Sequence, residues 1–223
     1  RVPLPELDKA WSGAEVQPVT ASLARQLDLP AAGFRITRLY PGGPLEAAGA
    51  KVGDLLVAID GVALRAANEN SDDPYHQRVR DLGIGDTVRM DARRDGRELA
   101  LDVTLRAAPA DTASLRAMAM SRLRIQVREL GFYDRAARDL PASQQGVMVD
   151  GVESGGPAGL AHLNRGDIIV RVGEAAVRDL DGLRDALDAA LEEGNGRVIP
   201  VQVLRGSESR ILYLERYWLT ETP

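Results

Sequence analysis

The sequence predicts a mixed α+β, strand-rich protein with two similar domains in tandem, each a small, partly open β-barrel or sandwich with two short helices. The first observation behind this is an internal repeat. The run Pro41-Gly42-Gly43-Pro44-Leu45 through Gly53-Asp54-Leu55-Leu56-Val57 recurs without a gap as Ser154-Gly155-Gly156-Pro157-Ala158 through Gly166-Asp167-Ile168-Ile169-Val170. A repeat at so long a period points to duplicated structural units. The second is length: 223 residues divide into halves of roughly 100, each able to bury a self-sufficient core. The third is patterning, because short alternating or continuous apolar runs are punctuated by Gly, Pro and Asp turns.

The elements follow in order. Val2 to Lys9 is a Pro-marked entry segment, and Ala14–Val19 reads as a strand whose internal Pro18 sends it to a sheet edge. Thr20 is placed to cap a helix through Leu27, which stops before Leu29-Pro30. Phe34–Tyr40 alternates as a half-buried strand, and Pro44–Ala50 is a short helix with Pro at its favoured first position. Leu55–Ile59 is a buried strand closed by an Asp60-Gly61 turn. Asp73 caps a helix through Leu82, and Thr87–Arg93 with Glu98–Leu105 forms a hairpin around Asp95-Gly96.

Residues 107–121 read as a linker with a helical turn or two, separating a first domain at 1–106 from a second at 122–223. The second domain repeats the order: strand Ile125–Glu129, a helix around Asp134–Leu140, strand Val147–Val152, the Gly-Gly-Pro turn, and strand Ile168–Val172. A long helix at Leu180–Leu191 ends at Gly194-Asn195-Gly196, and strands Arg197–Leu204 and Ser209–Tyr217 close the chain.

Composition narrows function. With 44% hydrophobic and 27% charged residues this is ordinary globular material, and no run approaches the ~20 apolar residues of a membrane span, so no direct membrane insertion is expected. A net charge of -5 opposes general nucleic-acid binding. The absence of cysteine excludes disulfides and thiolate metal sites. The opening Arg1-Val2-Pro3-Leu4-Pro5 lacks an initiator Met and a signal core, which suggests a processed chain or a piece of a longer one.

The run Tyr40–Gly61, its second copy Val152–Val172 and the helix and hairpin that follow each copy resemble PDZ domains in their circularly permuted bacterial form. That form accompanies HtrA/Deg-type serine proteases and some membrane proteases. The resemblance covers about Trp11–Arg106 and Leu123–Trp218. It implies capture of C-terminal or extended peptide segments by strand addition, with main-chain bonds supplying affinity and side-chain pockets selectivity. The terminal carboxylate would sit on backbone N–H groups of the loop before the edge strand.

In the first domain the matching loop is Trp11-Ser12-Gly13-Ala14, followed by Glu15 and Val16. Ser12 stands where the family prefers an apolar residue. Tyr75, Val79 and Leu82 lie at helical spacing as candidates to face the groove, with His76 and Arg78 at its rim. In the second domain the loop is Leu123-Arg124-Ile125, followed by Gln126, with Leu183 and Leu187 on the accompanying helix. Arg124 stands where the family favours Gly, and a non-Gly residue resists positive φ. The first domain is therefore expected to be the better binder, with Arg124 available to an acidic ligand. Leu130-Gly131-Phe132 imitates the Gly-Leu-Gly-Phe signature of animal PDZ domains but falls too late to align.

Other readings weaken on inspection. Glu153-Ser154-Gly155-Gly156-Pro157 imitates a trypsin-like nucleophile motif, yet Ser154 aligns with Pro41 and its only upstream histidine is His76. His76 and His162 do not make a zinc set, and Asn68–Asp73 lacks EF-hand spacing. No cofactor is expected. Gly-Gly-Pro lacks the Lys-Ser/Thr of a phosphate loop, Asp54 and Asp167 read as turn stabilisers, and Trp11 and Trp218 as core or junction anchors.

The resemblance implies a regulatory, substrate-recruiting part of an extracytoplasmic, periplasmic HtrA-like serine protease, whose catalytic domain would precede Arg1. Alternatives are a stand-alone PDZ adaptor, the PDZ part of a membrane metalloprotease, or a hydrolase centred on Ser154.

Overall fold

The structure, a computed structural model, describes residues 9–26, 29, 32–66, 68, 70–193 and 196–220. Most of the Val2–Lys9 entry segment, Pro30 and the Gly194-Asn195 helix terminator lie outside the described residues. The chain forms two compact units, Arg1–Ala108 and Pro109–Pro223.

The first unit runs β1 (Ala10–Trp11), β2 (Ala14–Val19), α1 (Ala21–Gln26), β3 (Gly33–Leu39), α2 (Pro44–Ala47), β4 (Leu55–Ile59), β5 (Val62–Ala63), α3 (Asp73–Arg80), β6 (Thr87–Arg94), β7 (Arg97–Thr104) and β8 (Arg106–Ala107). Its main sheet is antiparallel in the order β2-β3-β4-β6-β7, with β5 on β4, while β1 and β8 form a separate ribbon. Among the described residues strand β2 is the end of its sheet, a place that tolerates the missing N–H of Pro18. The turns after β4 and β6 place Asp60 at φ 48° with Gly61 at 74°, and Asp95 at 50° with Gly96 at 77°. Two successive positive φ values are what a two-residue type I′ hairpin demands.

The second unit has a 3-10 turn (Thr112–Ser114), then β9 (Ala117–Met120), β10 (Ile125–Glu129), α4 (Phe132–Ala137), β11 (Val147–Val152), α5 (Pro157–Leu160), β12 (Ile168–Val172), β13 (Ala175–Ala176), α6 (Leu180–Glu192), β14 (Val198–Arg205), β15 (Glu208–Glu215) and α7 (Tyr217–Thr220). Its sheet reads β15-β14-β12-β11-β10-β9, with β13 on β12. Both sheets stay open among the described residues.

Each sheet wraps its own core. Phe34, Ile36, Leu56, Ile59, Tyr75 and Met90 centre the first, and Val127, Val149, Ile169, Leu180, Leu183 and Val203 the second. Each fully buried aliphatic side chain contributes about 2 kcal/mol of transfer free energy. The duplication extends to irregularities. The β2–β3 register shifts between Glu15 and Val16 and the β10–β11 register between Gln126 and Val127, at matching positions. A second matching pair of shifts falls at Leu56/Ala58 and Ile169/Arg171.

The elements depart from expectation in a few places. Helix α2 stops at Ala47 because Gly49 turns to φ +84°, which an ordinary helical residue does not adopt. Asp72 rather than Asp73 is the cap residue of α3. The stretch 107–121 holds one helical turn, the 3-10 turn at Thr112–Ser114, but Ala107 belongs to β8 and Ala117–Met120 is a strand of the second sheet. Trp218 lies in α7, an element the sequence pattern did not signal, and is 46% exposed against Tyr217 rather than buried.

Candidate functional site

The repeated turn forms the back wall of the loop that precedes each unit's strand pair. In the first unit Tyr40 N–H donates to Gly13 O (2.9 Å) and Leu45 N–H, in α2, donates to Ser12 O (2.9 Å). Gly13 takes φ +80°, and a Cβ there would come within 2.8 Å of Gly43 Cα and Pro44 Cδ. The second unit repeats these bonds: Glu153 N–H to Arg124 O (3.0 Å) and Ala158 N–H to Leu123 O (3.4 Å). Arg124 takes φ +54°. Arg124 thus takes the positive φ that a non-Gly residue was expected to resist, because the two anchoring bonds impose the backbone course and Gly156 leaves room beside Arg124 Cβ.

A buried carboxylate locks each repeat. Asp54 Oδ1 and Oδ2 accept from Arg94 Nε and Nη2, both at 2.7 Å, and Arg94 Nη2 also reaches Gly49 O (2.9 Å). Asp167 and Arg205 reproduce this at 2.7 and 2.7 Å, with Nη2 on His162 O (2.8 Å). The carboxylates further accept Lys51 N–H (2.8 Å) and Asn164 N–H (2.9 Å). His162, at φ +63°, therefore stands in the backbone place of Gly49. The reading of Asp54 and Asp167 as turn stabilisers gains here the arginine partners that the sequence pattern did not reveal.

The predicted first-domain residues gather around the Gly13 turn. Ser12 is 2% exposed and accepts a hydrogen bond from Tyr75 Oη at 2.7 Å, tying the loop to α3. Burial pushes the Tyr75 phenol well above the usual tyrosine range, against a smaller opposing pull from Ser12. Tyr75 and Val79 lie inside the core with Leu82 packed against it, rather than opening onto a surface. His76 is half-buried beside them, its Nε2 3.0 Å from Asp72 Oδ2. Trp11 packs against Tyr40 with ring centroids 5.6 Å apart. Ala14 and Val16 point into the core, while Glu15 stays outside and accepts from Tyr40 Oη at 2.5 Å. Because Tyr40 N–H bonds Gly13 O, the Ala14–Leu39 pair is of the non-hydrogen-bonded kind, and the Ala14 N–H and C=O point away from β3. Among the described residues no strand pairs with β2 on that side.

The second domain differs at this point. Leu123 and Ile125 are buried, Gln126 is exposed, and Leu183 and Leu187 sit in the core under α6. Strand β10, the counterpart of β2, is not an edge: β9 pairs with it, Ile125 opposite Met120 and Val127 opposite Met118. Leu123 N–H donates to Met120 O and Arg124 N–H to Ser121 O, both at 3.1 Å. The Arg124 guanidinium meets Glu153 (3.3 Å). Gly131 of the signature-like Leu130-Gly131-Phe132 caps α4, its N–H donating to Asp134 Oδ2 (2.9 Å). Ser154 is an exposed turn residue before α5.

Comparison with known proteins agrees with this duplication. A PDZ-domain model matches residues 122–215, and a second PDZ-domain model matches residues 35–73. A protein named probable periplasmic serine endoprotease DegP-like, from Halomonas elongata, is 29% identical over 91% of this chain and 41% of its own length. The periplasmic pH-dependent serine endoprotease DegQ of Escherichia coli is 25% identical over 94% of this chain and 42% of its own. The chain thus spans about two-fifths of the length of these relatives. Among solved structures, an HtrA-type protease AlgW with decapeptide matches with a TM-score of 0.39 and 24% identity, over 47% of this chain and 31% of that one. Two matched domains, one repeated loop architecture and relatives aligned along nearly the whole chain converge: the chain belongs to the PDZ family, as two PDZ domains in tandem.

Proposed function

We propose that the chain is the peptide-binding regulatory region of a periplasmic serine endoprotease of the DegP/DegQ kind, and that the first domain captures the C-terminal segments of client proteins. The observation that carries this reading is the side of β2, directly after the Gly13 turn, on which no strand pairs among the described residues. An extended peptide would add as a further antiparallel strand, taking main-chain bonds from β2, with its carboxylate at the Ser12-Gly13-Ala14 N–H groups. The proposed contact residues are Trp11, Ser12, Gly13, Ala14, Glu15 and Val16, with His76 on the α3 side. The relatives' names favour attachment to a serine protease over a stand-alone adaptor or a membrane metalloprotease.

Ser12 and the Tyr75 hydroxyl fill space beneath the loop with a satisfied polar pair, which favours a small apolar terminal residue over a bulky one. The test is a titration with matched pentapeptides bearing either a free C-terminal carboxylate or an amide. The expected result is micromolar-range binding of the free acid and a loss of about tenfold or more on amidation, the scale of one lost charge-assisted contact. Equal affinity for the two forms would contradict the carboxylate site.

A further inference from the structure

The second domain's strand-addition edge is already filled, and what fills it is the chain's own segment just upstream. Strand β9 lies antiparallel on β10 in continuous register from Arg128–Ala117 to Ile125–Met120, and Glu129 N–H extends the pairing to Arg116 O (2.9 Å). Its side chains alternate: Met120 is 8% exposed and Met118 packs on the same core, whereas Ala117 and Ala119 face outward. On its other flank the segment meets α6. Arg116 forms a two-pronged bond with Asp181 (2.8 and 3.0 Å), and Arg122 bonds Asp188 at 2.9 Å. The Leu123 and Arg124 N–H groups, counterparts of those at Ser12 and Gly13, are spent on Met120 O and Ser121 O. A strand with alternate apolar anchors, paired to β10, clasped to the helix and ending at the loop amides has every feature of a captured peptide.

We propose that residues 116–122 are an internal ligand that closes the second PDZ groove, so that this domain takes an outside peptide only when the segment is displaced. The groove so closed has the chemistry of its occupant: it fits a C-terminal segment with medium-sized apolar residues at alternate positions, such as Ala-Met-Ala-Met. This rests on the reading of these grooves as peptide sites.

The test uses the whole chain and follows amide hydrogen exchange at Ile125, Val127 and Glu129, with titration of a free-acid peptide ending Ala-Met-Ala-Met. Arg116→Glu/Arg122→Glu reverses two exposed pairs without touching the core, and Met118→Asp is a second variant that removes an anchor. The wild type should protect these three amides and show no peptide footprint at the second domain. The double variant should speed their exchange about tenfold, the effect of losing two exposed ion pairs. Both variants should gain peptide binding there. Unprotected β10 amides in the wild type would overturn the proposal. So would folded variants with opened β9 that bind the peptide at the first domain alone. Absence of binding at both domains in every variant would instead sink the peptide-site reading of the grooves, and the internal-ligand proposal with it.

Discussion

Asp54 and Asp167, each 1% exposed, show how a single residue type serves the fold in both domains. A buried carboxylate deprived of its partner cation costs several kcal/mol, so Arg94→Ala and Arg205→Ala, which strand Asp54 and Asp167, should each destabilise their own domain by about 3 kcal/mol. Denaturant unfolding monitored separately in the two domains would show this; a loss shared equally by both, or none, would contradict it. Their register in the repeat made the carboxylates legible in the sequence. Their partners were not, because Arg94 and Arg205 lie 40 and 38 positions downstream and arginine supplies nearly all the positive charge. A weak signal did exist, since each of these arginines directly precedes the turn of its hairpin. That Arg124 takes the positive φ it was expected to resist has a related cause. Propensity disfavours positive φ in arginine by only a modest amount, and the neighbouring hydrogen bonds outweigh it.

Among elements, β9 and α4 matter most for the second domain. Ala117-Met118-Ala119-Met120 consists of good helix formers, which made the segment read as the amphipathic tail of a linker. Its two-residue alternation fits a strand equally well, and only the neighbouring β10 edge decides the choice. The α4 start is held by Asp134, which accepts from Arg128 Nη1 (2.5 Å) and Nη2 (2.8 Å). Burial alone pushes the Asp134 carboxyl up, but the Arg128 bonds, the Gly131 N–H and the nearby charges of Arg128 and Arg138 outweigh it and hold the pKa below the usual range. A depressed folded-state pKa contributes stability that is present above the unfolded value and lost as pH falls through the folded one. The second domain should therefore weaken as pH drops below about 4, the ordinary carboxylate value. Asp134→Asn should lower its stability near neutral pH by about 3 kcal/mol and flatten that acid dependence. An unchanged acid limb in the variant would assign the effect elsewhere.

For the molecule as a whole, the duplication was legible because a gapless repeat constrains backbone geometry at many positions at once. The strands Ala14–Val19, Leu55–Ile59, Ile125–Glu129, Val147–Val152 and Ile168–Val172 fall where the apolar patterning placed them. What the repeat concealed is an asymmetry of use. Ala10 and Trp11 pair with β8, and among the described residues β2 is a sheet end, while Ala117–Met120 fold back onto β10. Two similar domains thereby differ in which backbone edge is exposed, a property of chain course that no local pattern encodes. The most direct measurement is a residue-resolved footprint of a free-acid peptide on the intact chain, by amide chemical-shift perturbation. Perturbations are expected at Ser12–Val16 and along α3, with none along β10 or α6. Perturbation of β10 and α6 in the unaltered chain, with β2 silent, would contradict that expectation.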